Sequence, residues 1–240
     1  RRAVYFMLSG MTFDVSDTIF RGQDQEAFEI HPPTDYKCGT VFLCDRCRLE
    51  GNGPEPLLLF ELEGGETYDI DLLRTRVVGD GGSLVRLSVG AGTIGSEGDF
   101  AMLGCELRGG RIGLDVVNSC LGYEAATMTL QLASNLLSGS SDDAVSIGVH
   151  PSAGGPCRAT GQLLHNTVTD VGGSGVACAF HDAKATAECS LTLTSNAITF
   201  AEGYGIAEPD HSAPNAEGDF ALVGNDLYGN GSMYLDDGVT

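Results

Sequence analysis

Four stretches of the chain alternate apolar and polar positions in the same way and break at the same place. They are Leu130-x-Leu132-x-x-Asn135-x-Leu137, Gly161-x-Leu163-x-x-Asn166-x-Val168, Leu191-x-Leu193-x-x-Asn196-x-Ile198 and Phe220-x-Leu222-x-x-Asn225-x-Leu227. Alternation of period two, a polar break and one further apolar residue describe a short strand, a bend and the start of another strand. The frame continues upstream with other residues in its third slot: Phe100, Met102, Cys105 and Leu107; Ile70, Leu72, Thr75 and Val77; Phe42, Cys44, Cys47 and Leu49; and, first, Phe6, Leu8, Met11 and Phe13. The third slots at 11, 47, 75, 105, 135, 166, 196 and 225 are separated by 36, 28, 30, 30, 31, 30 and 29 residues. So regular an interval is an internal repeat, with an expanded first unit.

Each unit holds more than one strand. After the third slot come turns such as Gly172-Gly173-Ser174-Gly175 and then a second apolar stretch, as in Ala144-Val145-Ser146-Ile147 and Val176-Ala177-Cys178-Ala179-Phe180. Leucine-rich repeats share the Leu-x-Leu-x-x-Asn-x-Leu string. They need a further apolar residue three positions before the first leucine, where this chain has Thr127, Arg158, Glu188 and Glu217. The repeat instead resembles the right-handed parallel β-helix family, the pectate-lyase-like solenoids, over essentially all 240 residues. That resemblance implies an all-β fold: one right-handed parallel β-helix domain over 1–240, of about eight coils with a period near 30 residues. Coils stacked at about 4.8 Å would make a rod of roughly 34 Å, with like residues in columns along its axis. Asn135, Asn166, Asn196 and Asn225 are then expected to form a ladder of side-chain amides at one bend. Met11, Cys47, Thr75 and Cys105 cannot do so as amides, so their bends are expected to be satisfied differently.

Composition supports the class. The chain has 34 glycines, too many for a helical bundle in which each interior glycine costs about 1 kcal/mol. The formal net charge of −20 opposes nucleic acid and anionic membrane surfaces, both of which require clustered Lys and Arg. No apolar run approaches the ~18 residues of a membrane span. The apolar start Tyr5-Phe6-Met7-Leu8 gives way to Ser9-Gly10 and more strand-like sequence, and is read as structure rather than as a leader. Neither end offers an amphipathic helix to cover the exposed core. The chain is therefore expected to be a slice of a longer protein, or one whose uncapped ends contact other chains. An acidic, Gly-rich, Lys-poor chain with 8 cysteines points to an extracellular or cell-surface location. Among those cysteines, Cys157 and Cys189 precede equivalent strands of adjacent coils and are expected to form a disulfide, with Cys178 buried and free. Cys105–Cys120 is a second candidate. Cys44-Asp45-Arg46-Cys47 lacks the second Cys-x-x-Cys that a four-thiolate zinc site requires.

Three groups of residues carry candidate chemistry. His150, His181 and His211 each lie 15 residues after a ladder asparagine, and His31 is a candidate for the same place in the first coil. With Asp182, Asp210 and Glu208 nearby, the column is expected to form a groove edge that binds a polymer, or to supply acid and base groups. Adjacent histidines one coil apart cannot all reach one metal at ~2 Å. His165, beside the ladder, is expected at the surface. Ser141-Asp142-Asp143-Ala144-Val145-Ser146-Ile147 looks like the Asp-Asp-Cys-Val-Ala-Ile segment of polygalacturonase-type glycosidases, in which paired carboxylates act on a glycosidic bond. The other motifs of that family have no counterpart here, and the same turn offers Asp142, Asp143 and Glu202 as calcium ligands. Tyr204-Gly205-Ile206-Ala207-Glu208-Pro209-Asp210-His211 is similar to the Tyr-Gly-Phe-Asp-Pro-His string of the β-helical alginate C5-epimerases, with two residues inserted. That similarity implies that Tyr204 and His211 would remove and return the C5 proton of a sugar, supported by Asp210. Two function classes stay open: a carbohydrate-binding or polysaccharide-processing module (lyase, epimerase or glycosidase-like if an enzyme), and a non-enzymatic adhesive or structural solenoid. Calcium is the one cofactor that either class admits, and a glycan the one ligand. A chain with 13 basic residues is poorly equipped to hold an acidic polysaccharide unless calcium bridges the charges.

Overall fold

A computed structural model of the protein describes residues 4–6, 12–23, 28–30, 39–63, 67–91, 95–120, 124–151, 155–181, 186–208 and 215–235. Among them are 25 short strands and no helix, so none is long and apolar enough to cross a membrane. Every strand pairs in parallel with the third strand before or after it, which winds the chain into a parallel β-solenoid with a period of about 30 residues. Each coil contributes one strand to sheet 1 (Thr12–Ser16 to Ala216–Val223), one to sheet 2 (Ile19–Gln23 to Asp226–Tyr228) and one to sheet 3 (Val4–Phe6 to Ser232–Leu235). Regular coils run from Thr40 to Ala207 and number about six, fewer than the eight expected, with a shorter turn of strands at each end.

The columns follow from register. Phe42, Ile70, Phe100 and Leu130 lie opposite one another in sheet 1, as do Cys44, Leu72, Met102, Leu132, Leu163 and Leu193, and all are buried. Aromatic rings fill the early coils: Phe28 meets Phe42 edge-on at 5.7 Å, and Phe42 meets Phe60 at 5.1 Å. In later coils the small residues Ala126, Cys157 and Ala187 lie opposite one another where the sheet 1 strands begin, and all are buried.

The bend between sheets 1 and 2 is built the same way in every coil. Asp17, Arg46, Arg74, Gly104, Ser134, His165, Ser195 and Gly224 all adopt left-handed backbone, with φ between 48° and 64°. For the residues other than glycine this costs energy, and it persists because the next residue locks the bend. Asn135, Asn166, Asn196 and Asn225 are that next residue. Through Oδ1 they accept the backbone N–H of Cys105, Asn135, Asn166 and Asn196, at 2.8, 3.0, 2.9 and 2.9 Å. Through Nδ2 they donate to the carbonyls of Met102, Leu132, Leu163 and Leu193, at 2.7–2.9 Å. The earlier bends are satisfied by the same pattern and not by a different one. Cys105 Sγ accepts the Thr75 N–H at 3.4 Å and donates to Leu72 O at 3.1 Å. Thr75 Oγ1 accepts the Cys47 N–H at 3.3 Å and donates to Cys44 O at 3.1 Å, and the Cys47 thiol donates to Val15 O at 3.4 Å. The first slot also moves. Met11 lies outside the described residues, and Thr18 takes the place ahead of Cys47, its carbonyl accepting the Arg48 N–H at 2.9 Å. Phe13, Val15, Thr18 and Phe20 thus form the first frame, and the expanded interval disappears. On the outside of this bend, Arg46 grips the Asp17 carboxylate with both nitrogens, at 2.7 and 2.8 Å, and that pairing holds the Asp17 carboxyl below its usual range.

The disulfide differs from both expected pairings. Cys120 and Cys157 are joined, with their Cα atoms 5.9 Å apart, while Cys189 and Cys105 are free and buried. Register explains this. Cys157 lies opposite Ala187, and Cys189 lies opposite Ala159, so the two cysteines are offset by two residues. Cys120 ends a sheet 3 strand at the corner where sheet 1 begins, one coil below Cys157. Cys178 is buried and free as expected, and burial pushes its thiol well above the ordinary range. The Cys-x-x-Cys is structural: Cys44 is core and Cys47 belongs to the ladder.

Candidate functional site

Two histidines of the column come together. His150 sits near the end of the sheet 3 strand Val145–Pro151, and His181 follows the strand Val176–Phe180, donating its N–H to Val149 O at 2.9 Å. Their rings stack at 4.4 Å with 15° between planes. Gly148 leaves room for the stack, since a Cβ there would stand 2.9 Å from His150 Nε2. Nearly parallel rings carry their in-plane lone pairs side by side, so the pair cannot converge on one metal ion. His211, Asp182, Asp210 and His31 lie outside the described residues. Tyr204 opens the strand Tyr204–Ala207 at the far end of sheet 3. Ile206 lies opposite Val176, which places Tyr204 seven residues short of the His181 level, roughly 23 Å along the strand direction. Tyr204 and the His150–His181 stack therefore do not form one site. His165 is exposed beside the ladder. Glu208, buried, accepts the Phe220 N–H at 3.1 Å.

The acidic turn is built into the coil. Asp143 Oδ1 accepts the Ser174 N–H of the next coil at 2.6 Å, while burial pushes its carboxyl above the usual range against the pull of that bond. Asp142 faces Arg111 at 3.4 Å. Glu202 lies two coils beyond Ser141 in the same column, roughly 10 Å along the axis. Asp142 and Asp143 are adjacent and Glu202 is not brought to them. Among the described residues no group of three or more His, Cys, Asp or Glu could hold a metal ion.

A different surface gathers unused hydrogen-bonding groups. On the outer face of sheet 1, one column reads Asp69, Asp99, Thr129, Thr160, Ser190 and Asp219 along the axis. The next reads Asp71, Ala101, Gln131, Gln162, Thr192 and Ala221. Three successive coils therefore present a neutral shelf of hydroxyls and amides, bracketed by carboxylates. At its centre Gly161 replaces the core residue that Leu130 and Leu191 supply in the coils on either side. A Cβ at 161 would come within 2.6 Å of Leu130 O, so the strand dips inward there as only glycine permits. The resulting concavity is about 480 Å³ and is lined by Thr129, Gln131, Thr160, Gln162, Ser190 and Thr192. None of those side chains makes a hydrogen bond within the described protein, whereas the ladder amides inside are fully engaged. At the acidic border, burial and the neighbouring Asp69 raise the Asp71 carboxyl. Sequence reasoning missed this shelf, although its two columns stand six and four residues before every third slot.

Compared with family models, with curated proteins and with solved structures, the chain matches none. Its assignment to the parallel β-solenoids rests on topology.

Proposed function

We propose that this protein is an extracellular carbohydrate-binding solenoid of the pectate-lyase-like kind, which holds a neutral glycan along the outer face of sheet 1. The observation that carries the reading is the shelf of three coils, Thr129, Thr160 and Ser190 beside Gln131, Gln162 and Thr192, whose side chains have no hydrogen-bond partner among the described residues. Hydroxyls and amides both donate and accept, which suits the mixed donors and acceptors of sugar hydroxyls. Their repetition from coil to coil suits a polymer lying along the axis. Asp69, Asp99 and Asp219 at the ends of the shelf, and a net charge of −20, repel uronates and sulfated sugars. The Cys120–Cys157 disulfide supports the extracellular placement. Binding without catalysis is the simpler reading, because Asp143 holds a backbone N–H and Asp142 faces Arg111.

A panel of neutral glucans, mannans and galactans, set against polygalacturonate and alginate, tests the proposal. At least one neutral polymer should bind and release no reducing or unsaturated ends, while the two acidic polymers should not bind without calcium. Binding confined to the acidic polymers would overturn it.

A further inference from the structure

The corner between sheets 2 and 3 carries a second column of left-handed residues: Gly109 (φ 81°), Gly139 (70°), Asp170 (56°), Phe200 (56°) and Gly229 (68°). Glycine and aspartate tolerate that backbone, and phenylalanine does not. Phe200 is nevertheless 51% exposed, so no core packing explains it. Its ring is fixed in place, edge-on to Tyr228 at 5.9 Å, and Gly229 leaves it room, since a Cβ there would lie 2.8 Å from Phe200 Cε1. The ring forms one wall of an open recess of about 460 Å³, whose polar lining is Ser140, Ser141, Asp170 and Glu202. Among the described residues no Lys or Arg reaches Asp170 or Glu202, and the only polar partner of Asp170 is the Thr169 hydroxyl at 3.2 Å.

A recess with an aromatic wall, two carboxylates and no cation calls for a ligand that is positive, rich in donors and flat. Guanidinium meets all three demands: it stacks on aromatic faces and directs a planar fork of N–H groups at carboxylates. An ammonium is a hydrated point charge that stacks less well, and a neutral sugar leaves both carboxylates uncompensated. The net charge of −20 draws a basic partner toward the surface in the first place. We propose that this recess binds an arginine side chain of a basic partner protein, with the guanidinium stacked on Phe200 and paired with Asp170 and Glu202. The site lies at the corner between sheets 2 and 3, away from the sheet 1 face that carries the glycan shelf, and does not depend on that reading.

Calorimetric titration of the whole chain with hexa-arginine and hexa-lysine peptides, at physiological ionic strength, tests it. Hexa-arginine should bind more tightly than hexa-lysine. Phe200→Gly, which suits the left-handed backbone and so keeps the fold, should weaken hexa-arginine by about fivefold. Glu202→Gln should weaken it comparably, whereas Phe200→Tyr should retain it. Asp80→Asn removes one charge from an exposed residue that lies outside the recess lining and should leave the affinity unchanged. Equal losses from Asp80→Asn and Glu202→Gln would reduce the effect to bulk attraction and overturn the proposal. So would an unchanged affinity in Phe200→Gly.

Discussion

The asparagine ladder inside the corner and the hydroxyl–amide shelf outside sheet 1 are both columns of polar residues repeated from coil to coil, yet they are used in opposite ways. Inside, each ladder amide both accepts and donates, and the chain of bonds runs from Asn225 through Cys105 and Thr75 to Cys47. Outside, the side chains of Thr129, Gln131, Thr160, Gln162, Ser190 and Thr192 bond to nothing among the described residues. A repeat duplicates polar residues in either place, so repetition alone does not distinguish folding from recognition. Hydrogen-bond accounting does. Groups satisfied by the protein hold it together, and groups left idle in a concavity are available to something else.

The largest expected effect lies inside. Asn166→Ala takes the partner from the Asn135 N–H and from the Leu132 carbonyl in a buried corner, and leaves the Asn135 amide with its bond to Met102 O alone. It should cost about 4 kcal/mol in urea unfolding, with glycan binding by the remaining folded protein unchanged. The covalent staple comes next. Replacing Cys120 and Cys157 by serine should cost about 3 kcal/mol. Peptide mapping without reduction should recover those two cysteines linked and Cys189 alkylatable after unfolding.

The interior was largely legible in the sequence because the core and the corner impose a strict spacing. Any residue in the third slot must offer one acceptor and one donor, and Asn, Thr and Cys all can. What misled was an overlap of frames. Phe6-x-Leu8-x-x-Met11-x-Phe13 imitates the repeat, whereas Phe13-x-Val15-x-x-Thr18-x-Phe20 is the unit that folds into it. The cysteine pairing failed for a similar reason. Cys157 and Cys189 share a face of sheet 1, but strand register sets them two residues apart, and Cys120 reaches the corner from another sheet. The histidine spacing put His150 and His181 in one register, where their rings stack, while His211, the third member of that column, lies outside the described residues. The shelf escaped notice because Thr and Gln on a strand look like ordinary solvent-facing residues. Only when the coils are set in register do Asp69, Asp99 and Asp219 bracket Thr129, Thr160 and Ser190, and only the fold reveals the close approach of the Gly161 backbone to Leu130.

The most direct test removes the idle polarity while keeping its shape. Thr160→Val combined with Gln162→Leu should leave the unfolding free energy within about 1 kcal/mol of the parent, since both side chains face outward with no partner among the described residues. The same double variant should bind the tightest neutral oligosaccharide of the panel about tenfold more weakly. Undiminished affinity in a folded double variant would contradict the account.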